Sequence, residues 1–92
     1  MAEEKILTKH PDGKTGRNIS RDSYDKVKAA ILAALKRKER THSELLAQLN
    51  KNLNGKFSGN INWYLETVKL DLEARKLVAR TDSEPQKYRL LK

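Results

Sequence analysis

Asn60-Ile-Asn-Trp-Tyr-Leu-Glu-Thr-Val-Lys-Leu-Asp-Leu-Glu-Ala-Arg-Lys76, running on into Leu77-Val78-Ala79-Arg80, reads as a long helix that passes directly into a strand. With successive side chains about 100° apart, Ile61, Leu65, Val68 and Leu72 gather on one side, with Tyr64 nearby. Trp63, Thr67, Leu70 and Ala74 gather on nearly the opposite side. Asn62, Glu66, Lys69, Glu73 and Lys76 form a polar strip between them. A helix with two apolar sides touches two things. One is the main core; the other is a pair of strands, the N-terminal segment or a second subunit.

Working outward, the turn Thr81-Asp-Ser-Glu-Pro85 leads into a second strand over 87–91, in which Tyr88 and Leu90 alternate on one face as a half-buried strand requires. Upstream, Tyr24, Val27, Ile31, Ala34 and Leu35 recur at helical spacing and predict a helix over 22–38. Asp22 and Asp25 at its start and Lys36, Arg37 and Lys38 at its end suit the helix dipole. Thr41-His-Ser-Glu44 matches a capping box and opens a helix over 42–52, with Leu45, Leu46, Leu49 and Leu53 inward. Residues 53–59 form a loop in which Phe57 plugs the space between helices, and Ser58 or Asn60 caps the third helix. The expected central core is Leu35, Leu46, Leu49, Leu65, Val68 and Leu72.

Residues 1–21 hold few large apolar groups, and Pro11-Asp12-Gly13 is a turn signal. A basic arm is favoured here over a hairpin pairing 6–8 with 17–20, because a lone hairpin is marginal in water. The expected organisation is thus an arm over 1–21 and one domain over 22–92. That domain is mainly α (α+β): a winged helix-turn-helix, three helices followed by a C-terminal β-hairpin wing.

At 92 residues the chain is one small domain with little room for a large internal cavity. It has no cysteine, which excludes disulfides and thiolate-bound zinc. No run is long and apolar enough to span a membrane, and Met1-Ala-Glu-Glu-Lys does not read as a signal peptide, so no membrane partner and a cytoplasmic location are expected. The net charge of +8 is concentrated between residues 36 and 59 and at the two ends of the chain. Such a balance draws polyanions.

Catalytic patterns are weak. Gly13-Lys14-Thr15 resembles the end of a phosphate-binding loop, but that loop needs a glycine where Thr8 stands, a preceding strand and a following helix. His10 and His42 lie on different elements with no cysteine near them, so no metal site is expected. Glu66 and Glu73 are expected to pair with Lys69 and Lys76 along a solvated face. The expectation is a protein without enzymatic activity and without a cofactor.

The stretch Trp63-Tyr64, then Thr67-Val-Lys-Leu-Asp-Leu-Glu-Ala-Arg75, resembles a small bacterial winged-helix family of uncharacterised function. Tyr24 with its helix and the Pro11-Asp12-Gly13 turn fit the same pattern. The resemblance implies a fold and a bacterial setting, and it brings no functional residue with it.

Two functional readings follow. In the first, the chain binds duplex DNA weakly or without sequence preference, with Asn62, Lys69, Lys76, Arg80, Lys87 and Arg89 as contacts. Glu66 and Glu73 oppose this, since carboxylates on a groove-reading helix repel phosphate. In the second, the chain docks a protein partner or a second copy of itself through Trp63, Leu70 and Ala74, with no role at DNA. The two part on Trp63: exposure favours the interaction module, burial under the wing does not.

Overall fold

Ser20 ends a strand and begins a helix. Its hydroxyl accepts the Ser23 backbone N–H at 3.3 Å, which caps a helix that starts one residue later. In the computed structural model, which describes residues 4–10, 13, 16–53 and 60–91, the elements run β1 (Lys5–Leu7), β2 (Asn18–Ser20), α1 (Arg21–Arg37), α2 (His42–Leu53), α3 (Ile61–Ala74), β3 (Val78–Arg80) and β4 (Tyr88–Leu90). Three helices and two small antiparallel strand pairs make a mixed α+β fold. The Phe57 plug, the Ser58 cap and the Lys14-Thr15 end of the loop motif lie outside the described residues.

The segment expected to be an arm forms a hairpin instead. β1 pairs with β2, with Ile6 opposite Ile19. The marginal stability of a lone hairpin does not apply, because this one is not alone. Ile19 is buried in the core, Ile6 packs against it, and Arg21 N–H closes on Glu4 O at 2.9 Å. Gly16 lies so close to Thr8 that a Cβ there would meet the Thr8 carbonyl oxygen at 1.8 Å. Only glycine allows that approach.

Helix ends follow the sequence closely. The capping box at α2 is formed in both directions: Thr41 N–H donates to Glu44 Oε1 at 2.8 Å and Glu44 N–H to Thr41 Oγ1 at 3.1 Å. The Thr41 backbone donor holds the Glu44 carboxyl below its ordinary range. Asn60 caps α3 by accepting the Trp63 N–H at 3.0 Å. At the other end, Lys76 N–H bonds Glu73 O at 3.1 Å and Leu77 N–H bonds Leu72 O at 2.9 Å. These two bonds form a Schellman turn, with Lys76 in the left-handed region at φ 66°. This turn redirects the chain from α3 into β3.

β3 pairs with β4, with Val78 opposite Leu90 and Arg80 opposite Tyr88. On its other side Tyr88 exchanges backbone bonds with Arg40, at 2.7 and 3.2 Å. Arg40 also donates from Nε to Ala34 O at 2.9 Å, closing the end of α1. The link between α1 and α2 is therefore stitched to the C-terminal strand.

The predicted α1 stripe is buried throughout, as are Leu49, Leu65, Val68 and Leu72. Leu46 is a correction: it is only partly buried, and Leu45 takes the central place. Leu45, Leu49 and Leu53 stand four residues apart and share one stripe, which leaves Leu46 at its flank.

Leu65→Ala removes a fully buried side chain at the centre and is expected to cost roughly 2–5 kcal/mol in urea denaturation. Lys76→Gly is expected to raise stability by about 0.5–1 kcal/mol, because glycine adopts the left-handed turn without the Cβ clash. A loss of stability in the glycine variant would show that the lysine side chain contributes more than its backbone costs.

Candidate functional site

Asp71 is 0 % exposed, an unusual place for a carboxylate in a small domain. It persists because every donor it needs is supplied. Oδ1 accepts the Lys9 backbone N–H at 2.8 Å, while Oδ2 accepts the Tyr24 hydroxyl and Arg75 Nε, the latter at 2.8 Å. The N-terminal segment, α1 and α3 thus meet on one side chain. Burial first, then the bond to Asp71 and its charge, push the Tyr24 hydroxyl up to about 12, against an opposing effect of Arg75. The bond to Asp71 also raises the Arg75 guanidinium above its ordinary value.

A second polar cluster lies between α3, α2 and the C-terminal hairpin. Lys69 is 2 % exposed. Its Nζ sits 4.0 Å from the centre of the Tyr88 ring and 2.8 Å from His42 Nδ1. His42 Nε2 lies 3.0 Å from Asn62 Oδ1. An ammonium can only donate and a carbonyl oxygen can only accept, so the imidazole accepts from Lys69 and donates to Asn62. His42, half-buried, is therefore a bonded link between Lys69 and Asn62. Nearby, Arg80 Nε donates to Glu73 Oε1 at 2.6 Å, and its guanidinium stands 5.8 Å from the same Tyr88 ring.

These contacts dismantle the polar strip expected on α3. Lys69 is inside and bonded to His42, so it neither reaches outward nor pairs with Glu66. Glu73 is nearly buried against Arg80 and does not pair with Lys76. Of the six candidate DNA contacts, Lys69 is withdrawn and Asn62 and Arg80 are engaged within the fold. Arg89 is exposed on β4, Lys76 is exposed at the turn after α3, and Lys87 is half-buried beside Thr81. The three do not share one helix face.

The other side of α3 faces the N-terminal hairpin across a groove of about 410 Å³. Trp63, Glu66, Thr67 and Leu70 form the helical wall; Thr8, Lys9 and Arg17 stand on the hairpin wall, near the end of its strands. Trp63 is 41 % exposed and makes a T-shaped contact with Tyr64, ring centres 5.0 Å apart. Trp63 and Leu70, named together from the sequence, are brought together here, while Ala74 is half-buried a turn further along. An arm over 1–21 would leave no wall here; the paired strands β1 and β2 supply it.

Residues 5–88 match DUF6958, a family of unknown function. The chain belongs to this family. The DUF6958 match runs from β1 to the start of β4 and includes both walls of the groove. It agrees with the sequence resemblance on a family without an assigned activity, and it says nothing of a winged helix or of a source. No curated protein and no solved structure matches the chain. Among the described residues no three His, Cys, Asp or Glu side chains come together as around a metal ion, and no helix is long and apolar enough to cross a membrane.

Tyr24 gives this arrangement a pH signature. Unfolded, its hydroxyl ionises near 10.0; folded, it holds its proton to about 12. Between those values the unfolded chain releases a proton that the native chain keeps, so native stability falls as pH rises through the window. Urea denaturation across it is expected to show the wild type losing its advantage over Tyr24→Phe. Parallel curves for the two proteins would show that the native state does not hold this proton.

Proposed function

We propose that the chain is a non-catalytic interaction module built on a winged-helix framework, which docks a partner protein in the groove between the N-terminal hairpin and α3 and does not read duplex DNA. The exposed Trp63 at the groove carries this reading. An indole open to water on a small domain loses hydrophobic stabilisation that a partner restores. The withdrawal of Lys69 and the pairing of Arg80 with Glu73 support it from the other side of α3, since the cations that a groove-reading helix needs are spent within the fold. The winged-helix framework is supported by the element order, three helices and then the β3–β4 hairpin, and by the Arg40 bridge that adds the α1–α2 link to that hairpin.

The net charge of +8 and the exposed Arg89 and Lys76 favour a second reading, weak phosphate contact with duplex DNA. Three contacts from Lys76, Lys87 and Arg89 would give a salt slope of about −2.7, at about 0.9 per phosphate. The expected result of a duplex titration is binding only at low salt, with Trp63 fluorescence unchanged. Binding that persists near about 0.15 M salt and strengthens in Glu66→Gln would place α3 against phosphate and overturn the proposal.

A further inference from the structure

We infer that the occupant of the hairpin–α3 groove is an extended acidic segment of a partner protein, one in which a carboxylate stands next to a large apolar side chain. This rests on the interaction-module reading of the same groove and adds the chemistry of what enters it.

The two walls ask for different things. Lys9 and Arg17 are exposed cations on the hairpin wall. Arg17 offers a planar fork that suits a carboxylate, and Lys9 adds a second positive charge. Opposite them, Trp63 and Leu70 offer apolar surface to a large side chain. Glu66 and Thr67 lie on the same helical wall, and Glu66 accepts hydrogen bonds only. An extended peptide meets all three demands, since its backbone N–H groups donate while its side chains supply the carboxylate and the apolar group.

Other occupants fit less well. A nucleic acid strand brings phosphates at every step and sets some of them against Glu66. A peptide brings its negative charge at chosen points. A second copy of this chain would bring +8 against +8. The hairpin wall is also built in advance. The Lys9 backbone is tied to the buried Asp71, and Gly16 leaves no room between itself and Thr8. A wall already ordered loses little freedom on binding.

Trp63 is the chain's single tryptophan, so its fluorescence reports on the groove directly. The full chain is titrated with a capped Gly-Asp-Leu-Asp-Gly peptide, with the same peptide carrying Asn for Asp, and with one carrying Lys for Asp. The Asp peptide is expected to give a saturable change that salt weakens. The Asn peptide should bind about tenfold or more weakly, as loss of a charge-assisted bond requires. Arg17→Glu and Lys9→Glu, both at exposed positions and checked by urea denaturation, should lose the Asp peptide and gain the Lys peptide.

Each contrary outcome is distinct. If the Asn or Lys peptide binds wild type as well as the Asp peptide, the groove docks peptides but the acidic partner is wrong. If no peptide alters Trp63 while an oligothymidylate does, the occupant is a nucleic acid and both readings fall. A Trp63 change that follows protein concentration, with dimers in sedimentation, makes a second copy the occupant and overturns the inference. Silence with all three peptides, with oligothymidylate and with concentration removes the groove as a docking site.

Discussion

The carboxylate of Asp71 holds three parts of this molecule in register. A buried negative charge is tolerated only where its hydrogen-bonding capacity is met, and here the donors come from the N-terminal segment, from α1 and from α3 itself. Removing any one partner leaves the others facing an unsatisfied charge. The hairpin therefore sits beside α3 at a fixed distance, and the groove between them inherits its width from this contact. Apolar packing of Ile19 and Ile6 holds the hairpin to the core but does not by itself set that distance.

The two faces of α3 show how one helix divides its labour. On the face toward α2 and β4, Lys69 is turned inward against His42 and the Tyr88 ring, and Glu73 bonds Arg80 through one of its two carboxylate oxygens. On the face toward the hairpin, an indole and a leucine stay partly open beside cations contributed by another element. Over residues 60–76 the sequence carries three bases and three acids, and that balance hides the difference between the faces.

Much of the fold was legible. The Thr41–Glu44 box, the Asn60 cap and the Tyr88–Leu90 alternation are local signals, and each depends on neighbours a few residues away. The α1 stripe was equally plain. What could not be read were contacts between residues far apart. Asp71 reads as one more charge on a mixed helix, although its phase falls beside Tyr64 at the edge of the inward stripe and it stands four residues before Arg75, which together offer a hint. Lys69 gave no such hint, since its partners His42 and Tyr88 belong to other elements. The hairpin's stability comes from its contacts with the core, which no local signal in residues 1–21 carries. The phase of Trp63 sets it apart from the main core, but the wall opposite it depends on the hairpin.

The bond from the Lys9 backbone to Asp71 joins positions 62 residues apart. A ribosome releases the N-terminal strands long before it releases the side chain that anchors them. Through most of synthesis the hairpin has neither its carboxylate nor the helix that carries it, and two three-residue strands cannot hold themselves together in water. The groove is thus absent from every shorter nascent chain and takes shape only when α3 emerges. Until then the hairpin and the helical wall cannot come together, so the groove is a late product of synthesis.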